Sequence, residues 1–131
     1  MYLIDTSVWI DFFRNRPTHG VKLFNQILDG GFAYGINALI YQEVLQGASS
    51  PKDFHKLKDY LSTQRFFHFN DPIKSHENAA HIFFACRQKG ITIRSTIDCL
   101  IAQTAIENKL ILLHSDKDYE RIAQVVPLKI A

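Results

Sequence analysis

The run Leu110-Ile111-Leu112-Leu113 has no polar side. Successive side chains of a strand point to opposite faces, so a strand of this composition must be covered on both. That requirement selects a sheet with helices above and below it, the usual setting of a parallel sheet. The rest of the chain supplies the other pieces. Further strands are expected at 2–5, 32–36, 65–69 and 127–130, and helices at 7–14, 20–29, 38–48, 51–63, 73–89, 96–108 and 118–124. Breaks fall at Arg16-Pro17, Gly30-Gly31, Ser49-Ser50-Pro51, Asp71-Pro72 and Gly90. Strand–helix alternation of this kind predicts an α/β fold, a three-layer α/β/α sandwich with a mainly parallel central sheet. With 131 residues and neither an internal repeat nor a Ser/Gly linker, the expectation is one domain, 1–131.

Composition excludes several classes. A hydrophobic share of 47% supports a packed core at this length. The net charge of +2 is too small to announce a nucleic-acid-binding surface by itself. Cys86 and Cys99 both fall in expected helices and read as reduced, buried residues rather than a disulfide framework. Asp5 interrupts the opening apolar run, so no signal peptide is expected, and no apolar stretch has membrane-spanning length. The expectation is a soluble cytoplasmic protein with no membrane partner.

The acids are more informative. In open parallel sheets, ligands bind beyond the carboxyl ends of the strands. Asp5 ends the first strand and Asp116 lies just past 110–113, which places both on one rim. Glu43 follows Leu39 by four residues and Ile40 by three, and so leans toward the core face of its helix. Asp98 stands in the first turn of its helix, in the capping-box pattern Ser95-Thr96-Ile97-Asp98. Each acid alone has a local explanation: Asp5 as a cap, Asp116 or Asp118 as a cap, Asp98 in its box, Glu43 as a solvated charge. Together they converge. Carboxylates gathered in one cleft raise one another's pKa, and a divalent cation removes that cost. Hard oxygen donors favour Mg²⁺, with Mn²⁺ as a substitute. Thr6, Ser7 and Ser115 supply hydroxyls that orient carboxylates or bind metal-held water. Such a site suits phosphodiester hydrolysis. Other enzymes on similar sheets fit less well. A haloacid-dehalogenase-like phosphatase needs D-x-D where this chain has Ser7, and no P-loop pattern is present.

Three stretches, "LIDTSVWIDFF", "NALIYQEVLQGA" and "STIDCLIAQTAIENKLILLHSDKDYERIA", together resemble a PIN-domain protein. Within that superfamily the chain is most similar to VapC-type toxins of bacterial toxin–antitoxin pairs. The resemblance spans nearly the whole chain and implies a PIN-like α/β/α sandwich with Mg²⁺- or Mn²⁺-dependent endoribonuclease activity. It matches the catalytic and metal-binding acids to Asp5, Glu43, Asp98 and Asp116, and the accompanying hydroxyls to Thr6 and Ser115. Asp118 shares the D-x-D-F/Y stretch and competes for the fourth acidic position. The resemblance further implies transfer or ribosomal RNA as substrate, a VapB-like antitoxin as partner and a homodimer. In relatives, the part matching 50–90 resembles a clip that holds antitoxin or RNA. Phe54, Leu57, Leu61, Phe83 and Phe84 are candidates for such a groove, with plain core packing as the alternative. A non-catalytic RNA-binding domain is the alternative function.

Overall fold

The computed structural model describes all 131 residues. Its four strands are β1 (Tyr2–Ile4), β2 (Tyr34–Gly35), β3 (Ile111–Leu113) and β4 (Lys129–Ile130). They form one sheet in the order β2-β1-β3-β4, parallel throughout. Seven helices surround it: α1 (Thr6–Phe13), α2 (His19–Asp29), α3 (Ala38–Gln46), α4 (Pro51–Leu61), α5 (Pro72–Gln88), α6 (Thr96–Glu107) and α7 (Lys117–Ala123). Helices α1 to α4 pack in one group, and α5, α6 and α7 in another. Strand β3 touches α2 from the first group and α6 from the second. Leu112 and Leu113 are accordingly fully buried, as their apolar run requires. Cys86 and Cys99 are free and buried. No helix is long and apolar enough to cross a membrane.

Every helix opens on a short polar residue whose side chain accepts a backbone N–H two or three residues on. These caps are Asp5, Thr18, Asn37, Ser50, Asp71, Ser95 and Asp116. A cap of this kind satisfies donors that the first turn leaves unpaired, typically worth ~1 kcal/mol each. Helix starts are therefore written locally into the sequence, and two of the caps are rim acids. Helix α5 ends before Gly90, whose φ of +75° favours glycine.

The strand expected at 65–69 is reduced to a single parallel bridge between Ile36 and Phe66. The Ile36 N–H donates to Arg65 O at 2.9 Å and the Phe67 N–H to Ile36 O at 2.8 Å. Pairing stops there because the neighbouring chain leaves the sheet: Asn37 turns to cap α3, accepting from Ile40 N at 2.9 Å. Gly35 permits the close approach, since a Cβ there would lie 2.5 Å from Arg65 O.

Two contacts fix the elements that carry the rim. The Trp9 indole N–H donates to Ile4 O at 3.1 Å, and the ring packs against Phe12, Phe13 and Phe24, holding α1 to the end of β1. The buried Asn37 amide donates to Thr104 Oγ1 at 3.0 Å, tying the start of α3 to α6. Of the groove candidates, Leu57 and Leu61 are core residues, whereas Phe54 and Phe84 are exposed. Phe54 borders a hollow of about 670 Å³ between α3 and α4 that includes none of the rim acids.

Candidate metal centre

The parallel register sets the rim. The Asp5 N–H donates to Leu113 O at 2.9 Å, so the chain beyond β1 runs beside the chain beyond β3. Asp5 is buried, and its Oδ2 accepts from Ser7 N at 3.1 Å and Ser7 Oγ at 2.6 Å. The Ser7 hydroxyl in turn accepts from Ser115 N at 3.1 Å, bridging the two loops. Glu43, half-buried on α3, leans toward the rim. Its Oε1 accepts from Thr6 Oγ1 at 2.7 Å, so the residue beside Asp5 aims the carboxylate.

Asp98 does not close the capping box that its position suggests. Ser95 Oγ accepts from Ile97 N at 3.2 Å, but the Asp98 carboxylate turns to the Tyr119 hydroxyl at 3.2 Å. The same hydroxyl donates to Asp5 Oδ1 at 2.9 Å. Asp116 caps α7 through Asp118 N at 2.9 Å. Asp98, Asp116 and Asp118 each bring a carboxylate oxygen within 4.8 Å of the others.

Electrostatics divides these acids. Burial raises the carboxyls of Asp5 and Glu43 above their ordinary range, against the hydroxyls that lower them, and the charge of Asp5 raises Glu43 further. Burial, then the charges of Asp5 and Asp116, push Asp98 up to about 7. Asp118 goes the other way. Burial opposes its charge, but the backbone and guanidinium of Arg94 and the guanidinium of Arg121 hold it below the ordinary range. Arg121 donates to it at 2.7 Å and Arg94 Nε at 3.3 Å. Arg94 also reaches Asp116 at 3.4 Å.

The donor set tests well against a divalent cation. It is all carboxylate and hydroxyl oxygen, the chemistry of Mg²⁺ or Mn²⁺ sites. Three of its carboxylates resist ionisation and have no Lys or Arg partner. A bound cation would relieve that cost.

Three further residues complete the arrangement: Ser7, one of the expected hydroxyls, together with Arg94 and Tyr119. Ser7 links the loops, while the Ser115 hydroxyl makes no hydrogen bond to any of the acids and lies against Gly20, where a Cβ would stand 2.7 Å from it. Arg94 clamps Asp118 from the loop before α6. Tyr119 is fully buried on α7 with its hydroxyl between two carboxylates. One signal for Tyr119 exists in the sequence. It lies three residues past a cap and three before the buried Ile122, on the same helix face, and a buried phenol needs a polar partner.

The site is a group of acids at the carboxyl rim of a parallel sheet, the edge where open α/β folds bind ligands. The chain belongs to the PIN-domain family, whose pattern matches residues 2–125. It is 32% identical over 132 residues to Ribonuclease VapC11 of Mycobacterium tuberculosis, spanning 100% of this chain and 98% of the relative. The same figures hold for VapC ribonuclease Mb1587 of Mycobacterium bovis. Among solved structures, the fold is similar to that of VapBC2 from Rickettsia felis, bound to a DNA fragment from its promoter. The TM-score is 0.75 at 18% identity, covering 99% of this chain and 96% of that one. VapBC-1 from nontypeable Haemophilus influenzae superposes with a TM-score of 0.74 at 20% identity, with the same coverage.

Proposed function

We propose that this chain is a metal-dependent endoribonuclease, the toxin of a toxin–antitoxin pair. What carries the reading is a line of contacts along the rim: Thr6 next to Asp5 holds Glu43, Tyr119 joins Asp5 to Asp98, and Asp98 stands close to Asp116 and Asp118, with Asp5, Glu43 and Asp98 held at raised pKa values. Full-length similarity to VapC ribonucleases supports it. These four acids would hold Mg²⁺ or Mn²⁺, which supplies an activated water and neutralises charge on the phosphate. The remaining roles belong to the chain. Thr6 aims Glu43, and Ser7 holds Asp5 in place. Asp116 is the fourth ligand in preference to Asp118, because Asp118 already has two guanidinium partners. Arg94, Lys117 and Arg121 line an opening of about 530 Å³ with Ser115 and Asp116. There they meet RNA phosphates that the acids would repel. A VapB-like antitoxin is the partner this reading calls for, and the neighbours named VapBC support it. An antitoxin arginine entering the acidic rim would pair with its carboxylates. A homodimer acting in the cytoplasm completes the proposal.

The test is cleavage of total cellular RNA by purified protein with Mg²⁺, Mn²⁺ or EDTA, beside the Asp5→Asn and Asp98→Asn variants. Discrete cuts that need the metal and vanish in both variants are expected. No cleavage by folded, antitoxin-free protein across a wide range of RNAs would replace this reading with a non-catalytic RNA-binding domain.

A further inference from the structure

We propose that Tyr119 is a positioning residue whose hydroxyl locks Asp5 and Asp98 into one divalent-cation cradle. The inference rests on the metal-dependent reading above and adds a residue to it. Asp5 sits at the end of β1 and Asp98 in the first turn of α6, so the two carboxylates come from elements 93 positions apart in the chain. The Tyr119 hydroxyl, on a third element, contacts both, at 2.9 and 3.2 Å.

The placement is built rather than incidental. Asp116 caps α7, which fixes the helix register and turns Tyr119, three residues on, into the interior. The ring is fully buried and packs beside His114, with 5.3 Å between ring centres. Its position along the hydroxyl axis is therefore set by packing and not by the carboxylates. A buried phenol needs only one acceptor to be satisfied. Here it faces two acceptors that repel each other, an arrangement a core tyrosine has no reason to adopt. The phenol has one proton to give, and its oxygen stands within hydrogen-bond distance of both carboxylates, so it links the two acids from a place that ring packing sets. Asp5 also has Ser7, but Tyr119 is the only side chain that hydrogen-bonds Asp98. Loss of the hydroxyl would leave Asp98 free to rotate while keeping the ring in place.

Tyr119→Phe tests this, because it removes one oxygen and keeps the packed ring. Mn²⁺ binding is measured by titration calorimetry without RNA, and thermal unfolding in EDTA reports the fold. Groups that orient metal ligands typically contribute about 10–100-fold to affinity. The Mn²⁺ Kd is expected to rise by that factor with the melting transition still cooperative. In RNA cleavage, the metal concentration for half activity should rise while the rate at saturating Mn²⁺ recovers. A Mn²⁺ Kd within about threefold of wild type would overturn the proposal and leave Tyr119 as packing, with the nuclease reading intact. Failure of the wild-type protein itself to take up Mn²⁺ would overturn the metal reading and this inference together.

Discussion

The acidic rim has two halves that differ in how the protein treats its charges. On one side stand Asp5, Glu43 and Asp98, contacted by hydroxyls from Ser7, Thr6 and Tyr119 and by no protein cation. On the other stands Asp118, fully buried and yet ionised at lower pH than usual, because Arg94 and Arg121 reach it. Asp116 lies at the boundary, within reach of Arg94 and close to Asp98. Hydroxyls orient a carboxylate without neutralising it, whereas guanidinium groups neutralise it outright. The first half thus stays short of positive charge and the second does not. Proximity alone does not separate them, since Asp98, Asp116 and Asp118 all stand close together. The charge partners do.

The sharpest way to break this contrast is a pair of isosteric variants, one from each half. Asp98→Asn should weaken Mn²⁺ binding by more than ~100-fold, beyond what loss of an orienting group typically costs. Asp118→Asn should leave the Mn²⁺ Kd within about threefold of wild type. It should instead destabilise the fold by about 1–3 kcal/mol, the usual result when buried charged hydrogen bonds lose a partner. Calorimetric titration and thermal unfolding read the two effects separately. The contrast fails if Asp118→Asn abolishes Mn²⁺ uptake in a protein that melts normally, for Asp118 would then be the ligand.

A smaller effect follows from pH. Asp98 has a folded pKa of about 7, against an ordinary value of 3.8. Between those values the folded state holds a proton that the unfolded chain has lost. Stability contributed at this site is therefore highest at low pH and falls as pH rises from about 4 to about 7. An asparagine amide in its place has no such proton to lose. In EDTA, the Asp98→Asn protein should melt above wild type at pH 8, and the gap should narrow toward pH 5. Asp118, with its lowered pKa, has the opposite sign: its contribution is lost only as pH falls through the acid range. A gap independent of pH would remove the claim that the first half is electrostatically strained.

What is legible in the sequence follows the same division between local and long-range causes. The helices are readable because each carries its own cap, such as Ser50 before Pro51 and Asp71 before Pro72. The central strand is readable from four apolar residues. The strand at 65–69 is not, because its length depends on where its partner leaves the sheet, and Asn37 decides that. Asp5, Glu43, Asp98 and Asp116 are legible as candidates from strand ends and helix faces, but the hydroxyl contacts that link them are not. Asp118 against Asp116 is undecidable in sequence, since Arg94, more than twenty positions away, reaches both, and only the folded placement of Arg121 on Asp118 separates them. Ser115 is a candidate for its hydroxyl, but its backbone N–H makes the contact, to Ser7. Tyr119 is legible only as a buried phenol in need of a partner; the partners themselves are hidden because they lie on two other elements.

Arg94 offers the finest test, because it belongs to both halves at once. Its side chain is 73% exposed, yet it reaches Asp116 at 3.4 Å and Asp118 at 3.3 Å. At Asp116 it competes with any divalent cation for the same carboxylate. Exposed ion pairs are weak, so relief of that competition in Arg94→Ala should tighten Mn²⁺ binding by no more than about fivefold. The same variant removes a positive charge from the opening lined by Lys117 and Arg121. If Arg94 meets one RNA phosphate, its loss should weaken RNA binding and flatten the salt dependence by about 0.7 in log–log slope, the value for one single-strand contact. The two effects have opposite signs, which separates them from general unfolding, since unfolding would weaken both. Tighter Mn²⁺ binding with an unchanged salt slope would place Arg94 in the rim as a charge brake alone. An unchanged Mn²⁺ Kd would mean that the exposed Arg94 pair does not compete with the cation for Asp116, and Arg94 would then act on RNA alone.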